Sequence, residues 1–200
     1  MVASGAIIHL IGHPAVGKYT VARQLVRAAD AAGQHFVLMD NHATGNVILP
    51  LLDFSGVESI PDEVWDRVGE VREVVYRTIT DMSPPDWSYV FTNVLIADDP
   101  REQVALRRVA KLADDSGRAY VPVRLTCQID EHLTRVASPE RGLRHKWTDV
   151  DAVERFLQTH DVIDLSAYDA PDIDTTNQSP EQSAAAILAH LVTLDAGVKR

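Results

Sequence analysis

Short apolar segments alternate with longer amphipathic segments along this 200-residue chain. Apolar runs rich in β-branched residues are typical of buried strands. Between them, apolar residues recur at helical spacing, as at Val21, Leu25 and Ala29. Strands that alternate with helices form a parallel sheet covered on both faces. We therefore predict an α/β fold whose five parallel strands lie at residues 6–11, 35–39, 89–96, 119–127 and 172–176.

The connection between the first predicted strand and the first predicted helix has the spacing of a phosphate-binding loop. Gly12 and Gly17 enclose four residues, and Lys18 follows directly. Glycines let successive backbone N–H groups turn toward one anion. A helix that begins near Lys18 adds its positive dipole end, and the lysine brings a mobile charge to the outer phosphates. This context predicts a nucleoside triphosphate site, and an ordinary turn with a solvated lysine is the alternative.

The hydroxyl residue of this loop stands one position later than in the common form. Tyr19 occupies the place where Ser or Thr would bind Mg²⁺, and Thr20 follows it. This order resembles the loop of adenylate kinases and related small-molecule kinases, with Ala15 in place of their middle glycine. We predict that Thr20 serves Mg²⁺ and that the whole loop binds ATP. The residues of the loop are Gly12, His13, Pro14, Ala15, Val16, Gly17, Lys18, Tyr19 and Thr20.

Polar residues follow the second predicted strand at Asp40, Asn41 and His42. The carboxyl ends of parallel strands line the ligand crevice of such sheets. Asp40 and His42 are two positions apart, so in extended backbone their side chains would point the same way. We predict that both belong to the substrate site, and a simple turn is the alternative.

Residues 43–82 form too long a connection for a simple crossover, so we predict a helical insertion over the crevice. Pro61 opens its main helix, and apolar residues repeat along it at helical spacing. Insertions at this place commonly contact the acceptor. The candidate contacts are Trp65, Arg67 and Arg72, although a core tryptophan and solvated arginines explain them equally well.

Asp98 closes the third predicted strand and resembles the acidic end of a Walker B strand. We predict it as a second residue that serves Mg²⁺. Asp99, Pro100 and Glu102 have the pattern of a helix start, with Asp99 as the cap.

A basic cluster interrupts this acidic chain between residues 135 and 147. Arg135, Arg141, Arg144 and Lys146 lie there with His145, and Glu140 is the only counter-charge. Arginines on a mobile lid can neutralise the oxygens of a transferring phosphoryl group. We predict such a lid, with Arg135, Arg141 and Arg144 as its catalytic residues. A solvated surface is the alternative.

The bulk properties exclude several classes of function. A formal net charge of −10 argues against a nucleic-acid or anionic-membrane partner. The single cysteine, Cys127, lies in an apolar run and fits a reducing compartment. The N-terminus has no signal-peptide pattern, and no apolar run has membrane-spanning length. We expect a single cytoplasmic domain spanning residues 1–200, as a monomer or homodimer.

Together these features resemble small P-loop kinases of the shikimate, gluconate and adenylate kinase group over nearly the whole chain. The resemblance rests on residues 12–20, Asp40, residues 135–146 and residues 174–177. It implies a nucleotide-kinase-like P-loop fold with a lid. It also implies that Asp40 orients or deprotonates the acceptor hydroxyl. His42 stands where shikimate-type kinases carry a second acid.

The same resemblance implies that Thr176, Asn177 and Gln178 pack against the adenine. A closer likeness is to bacterial P-loop proteins described as AAA-family or shikimate-kinase-like ATPases, including relatives of tunicamycin-resistance proteins.

Three functions fit these residues. The first is an ATP- and Mg²⁺-dependent kinase that acts on a hydroxyl of a small molecule, with Lys18 holding the β- and γ-phosphates. The second is a nucleoside monophosphate kinase, which would need basic residues in the insertion. The third is a nucleotide-binding ATPase or sensor without physiological phosphoryl transfer.

Overall fold

The computed structural model describes residues 5–52, 60–138 and 149–198. In these residues five parallel strands form one sheet in the order β2-β3-β1-β4-β5. The predicted five-stranded parallel sheet is therefore confirmed. The strands are β1 (Ala6–Ile11), β2 (Phe36–Asp40), β3 (Ser88–Asn93), β4 (Ala119–Thr126) and β5 (Asp172–Asp174).

Helices occupy most of the remaining described residues, and the predicted cap at Asp99 is formed, as is a second cap at the start of the last helix. Asp99 accepts a hydrogen bond of 2.8 Å from the backbone N–H of Arg101, and Ser179 and Gln182 cap the last helix reciprocally. A 3₁₀ turn covers Leu49–Leu52. The described α-helices are α1 (Lys18–Ala31), α2 (His42–Ile48), α3 (Asp62–Met82), α4 (Pro100–Asp115), α5 (Ile129–Val136), α6 (Val150–Thr159) and α7 (Pro180–Val198).

β1 lies at the centre of the sheet, and all six of its residues are buried. Successive side chains of a strand point to opposite faces. Ile8 and Leu10 pack with residues of α1 and α7, whereas Ile7 and Ile11 pack on the other face with residues of α3 and α4. The sheet is thus covered by helices on both faces, as the alternating pattern predicts.

The third strand ends earlier than predicted. β3 stops at Asn93, although the apolar run continues to Ile96. Ile96 leaves the sheet and forms an antiparallel bridge with Val162, and Leu95 accepts a 3.0 Å hydrogen bond from the N–H of Ile163. Leu95 and Ile96 are apolar because they pack against the segment that contains Val162 and Ile163. β5 likewise ends at Asp174 and not at residue 176.

The carboxyl ends of β1, β2 and β3 meet at one edge of the sheet. Asp40 is the register partner of Thr92, and Ile11 is the partner of Asn93. Two helices and the 3₁₀ turn lie between β2 and β3 in the described residues. The role of this region as a substrate-binding insertion and the single-domain organisation stay predictions.

Candidate active site

Residues 12–17 turn sharply from β1 into α1, and two glycines permit the turn. A Cβ atom on Gly12 would lie 2.4 Å from the carbonyl oxygen of Leu125, so β4 leaves no room for a side chain. Gly17 has a φ of 96°, in the region that favours glycine. Ala15 also has a positive φ, 69°, where the resembling kinases have their middle glycine. The loop backbone therefore adopts the conformation that the glycine pattern predicts.

Lys18 begins α1, and its ammonium group lies over the loop. Its Nζ donates to the carbonyl oxygens of Gly12 and His13, at 2.8 and 2.7 Å. The charge is therefore held beside the first turn of α1, where the dipole of the helix favours an anion. The lysine and the start of α1 thus place positive charge and unpaired N–H groups at the loop, an arrangement chemically suited to an anion such as phosphate.

Asp40 and Thr92 meet at the ends of β2 and β3. The Thr92 hydroxyl donates to Oδ1 of Asp40 at 2.6 Å and accepts from the N–H of Asn41 at 3.3 Å. The carboxylate is half-buried and held in one orientation by a neighbour on the next strand. This agrees with the predicted position of Asp40 at the strand-end crevice.

Arg72 is the one predicted acceptor contact in α3 that the structure joins to this edge. Its Nη2 donates to Oδ1 of Asn41 at 2.9 Å, and its Nε donates to the Thr44 hydroxyl at 3.3 Å. Both acceptors are neutral, and no ion pair of Arg72 is present within residues 5–52, 60–138 and 149–198. Neutral acceptors do not neutralise the charge of a guanidinium, so Arg72 can still form an ion pair with an anionic ligand.

The other two predicted contacts in α3 are not joined to this edge. Arg67 is exposed and pairs with Glu70 on its own helix at 2.6 Å. Trp65 retains 37% of its surface exposed. Glu102 was predicted only as part of the start of α4, and its charge interaction with Arg72 was not predicted. Its pKa is raised chiefly by burial and also by the charge of Asp99, while the charge of Arg72 acts in the opposite direction.

His42 does not extend β2, so the extended backbone from Asp40 to His42 that the prediction assumed is not formed. The role of His42 in a substrate site stays a prediction. Asn41 has helical dihedral angles, φ −52° and ψ −32°, and His42 starts α2. The chain turns immediately after Asp40, which removes the two-residue alternation of a strand.

The placement of Asp98 at a strand end is also wrong. Asp98 is exposed in a turn, because the chain leaves the sheet after Asn93. The prediction that Asp98 serves Mg²⁺ relied on a position at the end of a strand, which Asp98 does not have. Thr20 is the third residue of α1 and is exposed. No group of three or more His, Cys, Asp or Glu side chains that could hold a metal ion is present among the described residues. Mg²⁺ bound with a nucleotide takes most of its ligands from phosphates and water, so it does not require such a group.

Arg135 joins α5 to the phosphate loop. Its Nη2 donates to the carbonyl oxygen of Thr175 at 2.6 Å, and its Nη1 donates to the Thr175 hydroxyl at 2.9 Å. The Thr175 hydroxyl also lies 2.9 Å from the carbonyl oxygen of Val16, and Glu131 pairs with Nε of Arg135 at 2.8 Å. Arg135 is therefore a helix residue that contacts the loop. The predicted lid residues Arg141 and Arg144 lie outside the described residues.

The predicted adenine contacts lie in the connection between β5 and α7. Thr176 is half-buried and accepts a 2.8 Å hydrogen bond from the N–H of Gln128, at the start of α5. Asn177 and Gln178 are exposed. Thr175, one residue earlier, contacts the loop directly and was not predicted. The signal that could have found it is the short polar run that closes the last strand.

Two histidines line a cavity of about 340 Å³ beside the phosphate loop. The ring of His13 lies 6.3 Å from the ring of His132, whose Nε2 is hydrogen-bonded to the carbonyl oxygen of Pro14. Burial lowers the pKa of His13 to about 4, and the charges of His132 and Lys18 act in the same direction. His13 therefore adds no positive charge to the loop at neutral pH. The cavity is lined by His13, Val16, Arg124, Leu125, Thr126, Cys127, His132, Asp161 and Val162.

No family model matches this sequence, and none of the curated proteins does. Solved structures match the fold along almost the entire chain. A gluconokinase from Sinorhizobium meliloti 1021 is 16% identical with a TM-score of 0.59, and the match covers 97% of this chain and 95% of that one. The chain has the fold of small P-loop kinases. The predicted fold is thereby confirmed.

Two further structures agree with this assignment of the fold. A sugar kinase from Janibacter sp. HTCC2649 is 17% identical with a TM-score of 0.57, covering 96% of this chain and 97% of that chain. The Mycobacterium tuberculosis APS kinase in complex with AMPPNP and APS is 12% identical with a TM-score of 0.58, covering 95% and 98%. Within the described residues, no helix is both long and apolar enough to cross a membrane.

Proposed function

We propose that the protein is an ATP- and Mg²⁺-dependent phosphotransferase that transfers the γ-phosphoryl group to a hydroxyl of a small molecule. One observation carries the proposal: the strand that enters the phosphate loop pairs with β3, and Thr92 of β3 orients the carboxylate of Asp40. The loop that we assign to the donor and an oriented carboxylate thus share one edge of the sheet. The solved structures with this fold include a gluconokinase and a sugar kinase, which supports a small polar acceptor.

On the donor side, the loop N–H groups and the first turn of α1 bind the phosphates of ATP. Lys18 exchanges its loop carbonyl partners for the outer phosphates. Arg135 and Thr175 hold the loop against α5 and the end of β5. Mg²⁺, when bound with ATP, neutralises charge on the β- and γ-phosphates. Thr20, in the first turn of α1, remains the hydroxyl that would serve it.

On the acceptor side, Asp40 accepts a hydrogen bond from the attacking hydroxyl. Thr92 occupies Oδ1, and no hydrogen bond within the described part of the chain occupies Oδ2. Phosphoryl transfer through a loose transition state needs little proton abstraction, so orientation is the main task of this carboxylate. Arg72, on the same edge, binds an anionic group of the acceptor.

A panel of acceptors assayed by ADP release decides among the three functions. Polyols, sugar acids and the four common nucleoside monophosphates are each added with ATP and Mg²⁺. Turnover with a polyol or sugar acid supports the proposal. Turnover with monophosphates alone supports the second function, which the exposed, Glu70-paired state of Arg67 disfavours. Stoichiometric ADP release with every compound supports the sensor and contradicts the proposal.

Asp40→Asn tests the assignment of the acceptor side. It should leave the affinity for ATP within a few-fold and lower kcat by roughly 10²–10⁴. Asp30→Asn, which changes an exposed carboxylate of α1, is the matched control. Weakened ATP binding with an unchanged kcat would instead place Asp40 at the metal.

A further inference from the structure

His9 is a fully buried polar residue in the otherwise apolar strand β1. Both of its ring nitrogens have partners far away in the sequence. Nδ1 lies 3.0 Å from the Tyr120 hydroxyl on β4, and Nε2 lies 3.0 Å from Oδ1 of Asn93 at the end of β3. The histidine therefore connects both neighbours of β1 across the centre of the sheet.

The partners of Asn93 determine where the proton of His9 sits. Asn93 donates from Nδ2 to Oδ1 of Asn41 at 3.0 Å, so its own Oδ1 is the atom that faces His9. A carbonyl oxygen only accepts, so Nε2 of His9 carries the hydrogen. Burial lowers the pKa of His9 to about 4, so the ring is neutral at pH 7 and Nδ1 accepts from Tyr120. Burial also raises the pKa of Tyr120, which keeps its hydroxyl protonated.

The chain of hydrogen bonds ends at the acceptor side of the candidate active site. Oδ1 of Asn41 accepts from Asn93 and also from Nη2 of Arg72, at 2.9 Å. Rotating the amide of Asn41 would present its NH₂ group to two donors and break both bonds. In the hydrogen-bonded chain from Tyr120 through His9, Asn93 and Asn41 to Arg72, the donor and the acceptor of each bond are therefore fixed by the neighbouring bonds.

We propose that His9 is a positioning residue: through Asn93 and Asn41 it holds Arg72 at the end of β2. This proposal rests on the proposed function in one respect only, namely that Arg72 contacts the acceptor. Simple packing does not explain the arrangement, because an apolar side chain would fill the strand position without requiring a polar partner on each side. The hydrogen-bonded chain instead fixes the amide orientation of a residue next to Asp40.

Tyr120→Phe tests the proposal with a small change, because it removes one hydroxyl and keeps the ring. Without this donor, Nδ1 of His9 loses its partner, and the ring is held by its bond to Asn93 alone. Asn93 still requires hydrogen on Nε2, so the tautomer stays the same while the ring and Asn93 are held less firmly. We expect the Arg72 contact to weaken. Tyr168→Phe is the matched control, because Tyr168 packs on Tyr120 at 5.4 Å between ring centroids and its hydroxyl has no hydrogen bond to His9.

The readout is ¹⁵N NMR on nucleotide-free protein, with the Nη–H signals of Arg72 assigned by their loss in Arg72→Lys, because Nη2 is the atom that donates to Asn41. Wild type should show hydrogen on Nε2 of His9. Tyr120→Phe should keep this tautomer, shift the Nδ1 signal of His9 because its hydrogen bond is lost, and speed exchange of the Arg72 Nη–H with water by about 5-fold or more. Tyr168→Phe should match wild type. Hydrogen on Nδ1 of His9 in wild type, or an unchanged Arg72 exchange rate in Tyr120→Phe, would overturn the proposal.

Asn93→Ala breaks the chain one step further on and gives a second test if Tyr120→Phe unfolds. It should also speed exchange of the Arg72 Nη–H, because Asn41 loses its fixed orientation; an unchanged rate would refute the relay. Neither NMR measurement needs ATP or an acceptor, so the proposal can be refuted independently of the kinase activity.

Enzyme kinetics give a further test. With an acceptor from the panel, Tyr120→Phe should raise the acceptor KM by roughly 5-fold and leave the ATP KM within about 2-fold. Equal changes in both constants would contradict a positioning role.

Discussion

His9 should make folding stability depend on pH in a way that one substitution removes. The side chain is fully buried, and burial lowers its pKa from 6.5 to about 4, against a smaller opposite effect of the hydrogen bond that His9 donates to Asn93. The unfolded chain exposes this ring to water and returns the pKa to its ordinary value. The perturbation that isolates the effect is His9→Gln, which keeps a polar side chain but removes the titrating group.

The magnitude follows from the difference between the two pKa values. Between pH 6.5 and about 4 the unfolded state binds the proton and the folded state does not. The stability that neutral His9 contributes is therefore complete above pH 6.5 and is lost as the pH falls toward the folded pKa. Each pH unit in this window costs about 1.4 kcal/mol, so the loss between pH 7 and pH 4.5 is roughly 2–3 kcal/mol. That is a large share of a typical stability of about 5–15 kcal/mol.

Urea unfolding followed by tryptophan fluorescence at pH 7, 6, 5 and 4.5 measures this loss. Carboxylates titrate in the same range in both proteins, so the informative quantity is the difference between wild type and His9→Gln. The stability advantage of wild type should fall by roughly 2–3 kcal/mol over the range. His35→Gln, at an exposed histidine, is the matched control. Parallel curves for wild type and His9→Gln would refute the reasoning, because the buried ring would then not resist protonation.

Three further predictions concern the loop and the core. Gly12→Ala should lower stability by roughly 1–3 kcal/mol and abolish ATP binding measured by calorimetry, because its Cβ would lie 2.4 Å from the Leu125 carbonyl oxygen. Ala15→Gly should keep ATP binding and raise the free energy of unfolding by about 0.5–1 kcal/mol, because φ is 69° there. Arg118→Leu should cost roughly 2–4 kcal/mol in urea unfolding, because Arg118 is buried and donates three hydrogen bonds of 2.6–2.8 Å to the segment before β3. Arg108→Leu, at an exposed ion pair, should cost less than about 1 kcal/mol.

The parts of the fold set by neighbouring residues were predictable from the sequence. The strand, glycines, lysine and helix of the phosphate loop lie within about two dozen consecutive residues, and their spacing alone predicts the turn. The individual strands of the sheet and the cap at Asp99 were predictable for the same reason. Asp98 was misplaced because an apolar run does not reveal its partner: residues after Asn93 pair with Val162 and not with the sheet.

The polar contacts between distant residues were not predictable. His9 depends on partners 84 and 111 positions away, and a single polar residue in an apolar strand does not identify them. Thr175 contacts the loop from a distance of 159 positions. His42 was misjudged because nothing in the residues Asp40, Asn41 and His42 distinguishes an extended end of a strand from an immediate helix start.

Label transfer from [γ-³²P]ATP tests the central claim most directly. The protein is incubated with Mg²⁺, labelled ATP and a protein-free extract of small molecules, and the products are separated by chromatography. Wild type should move the label into an organic phosphate, and Lys18→Ala should lose this transfer because the outer phosphates lose their ammonium partner. Label found in inorganic phosphate alone, or organic product formed equally well by Lys18→Ala, would contradict a kinase built on this loop.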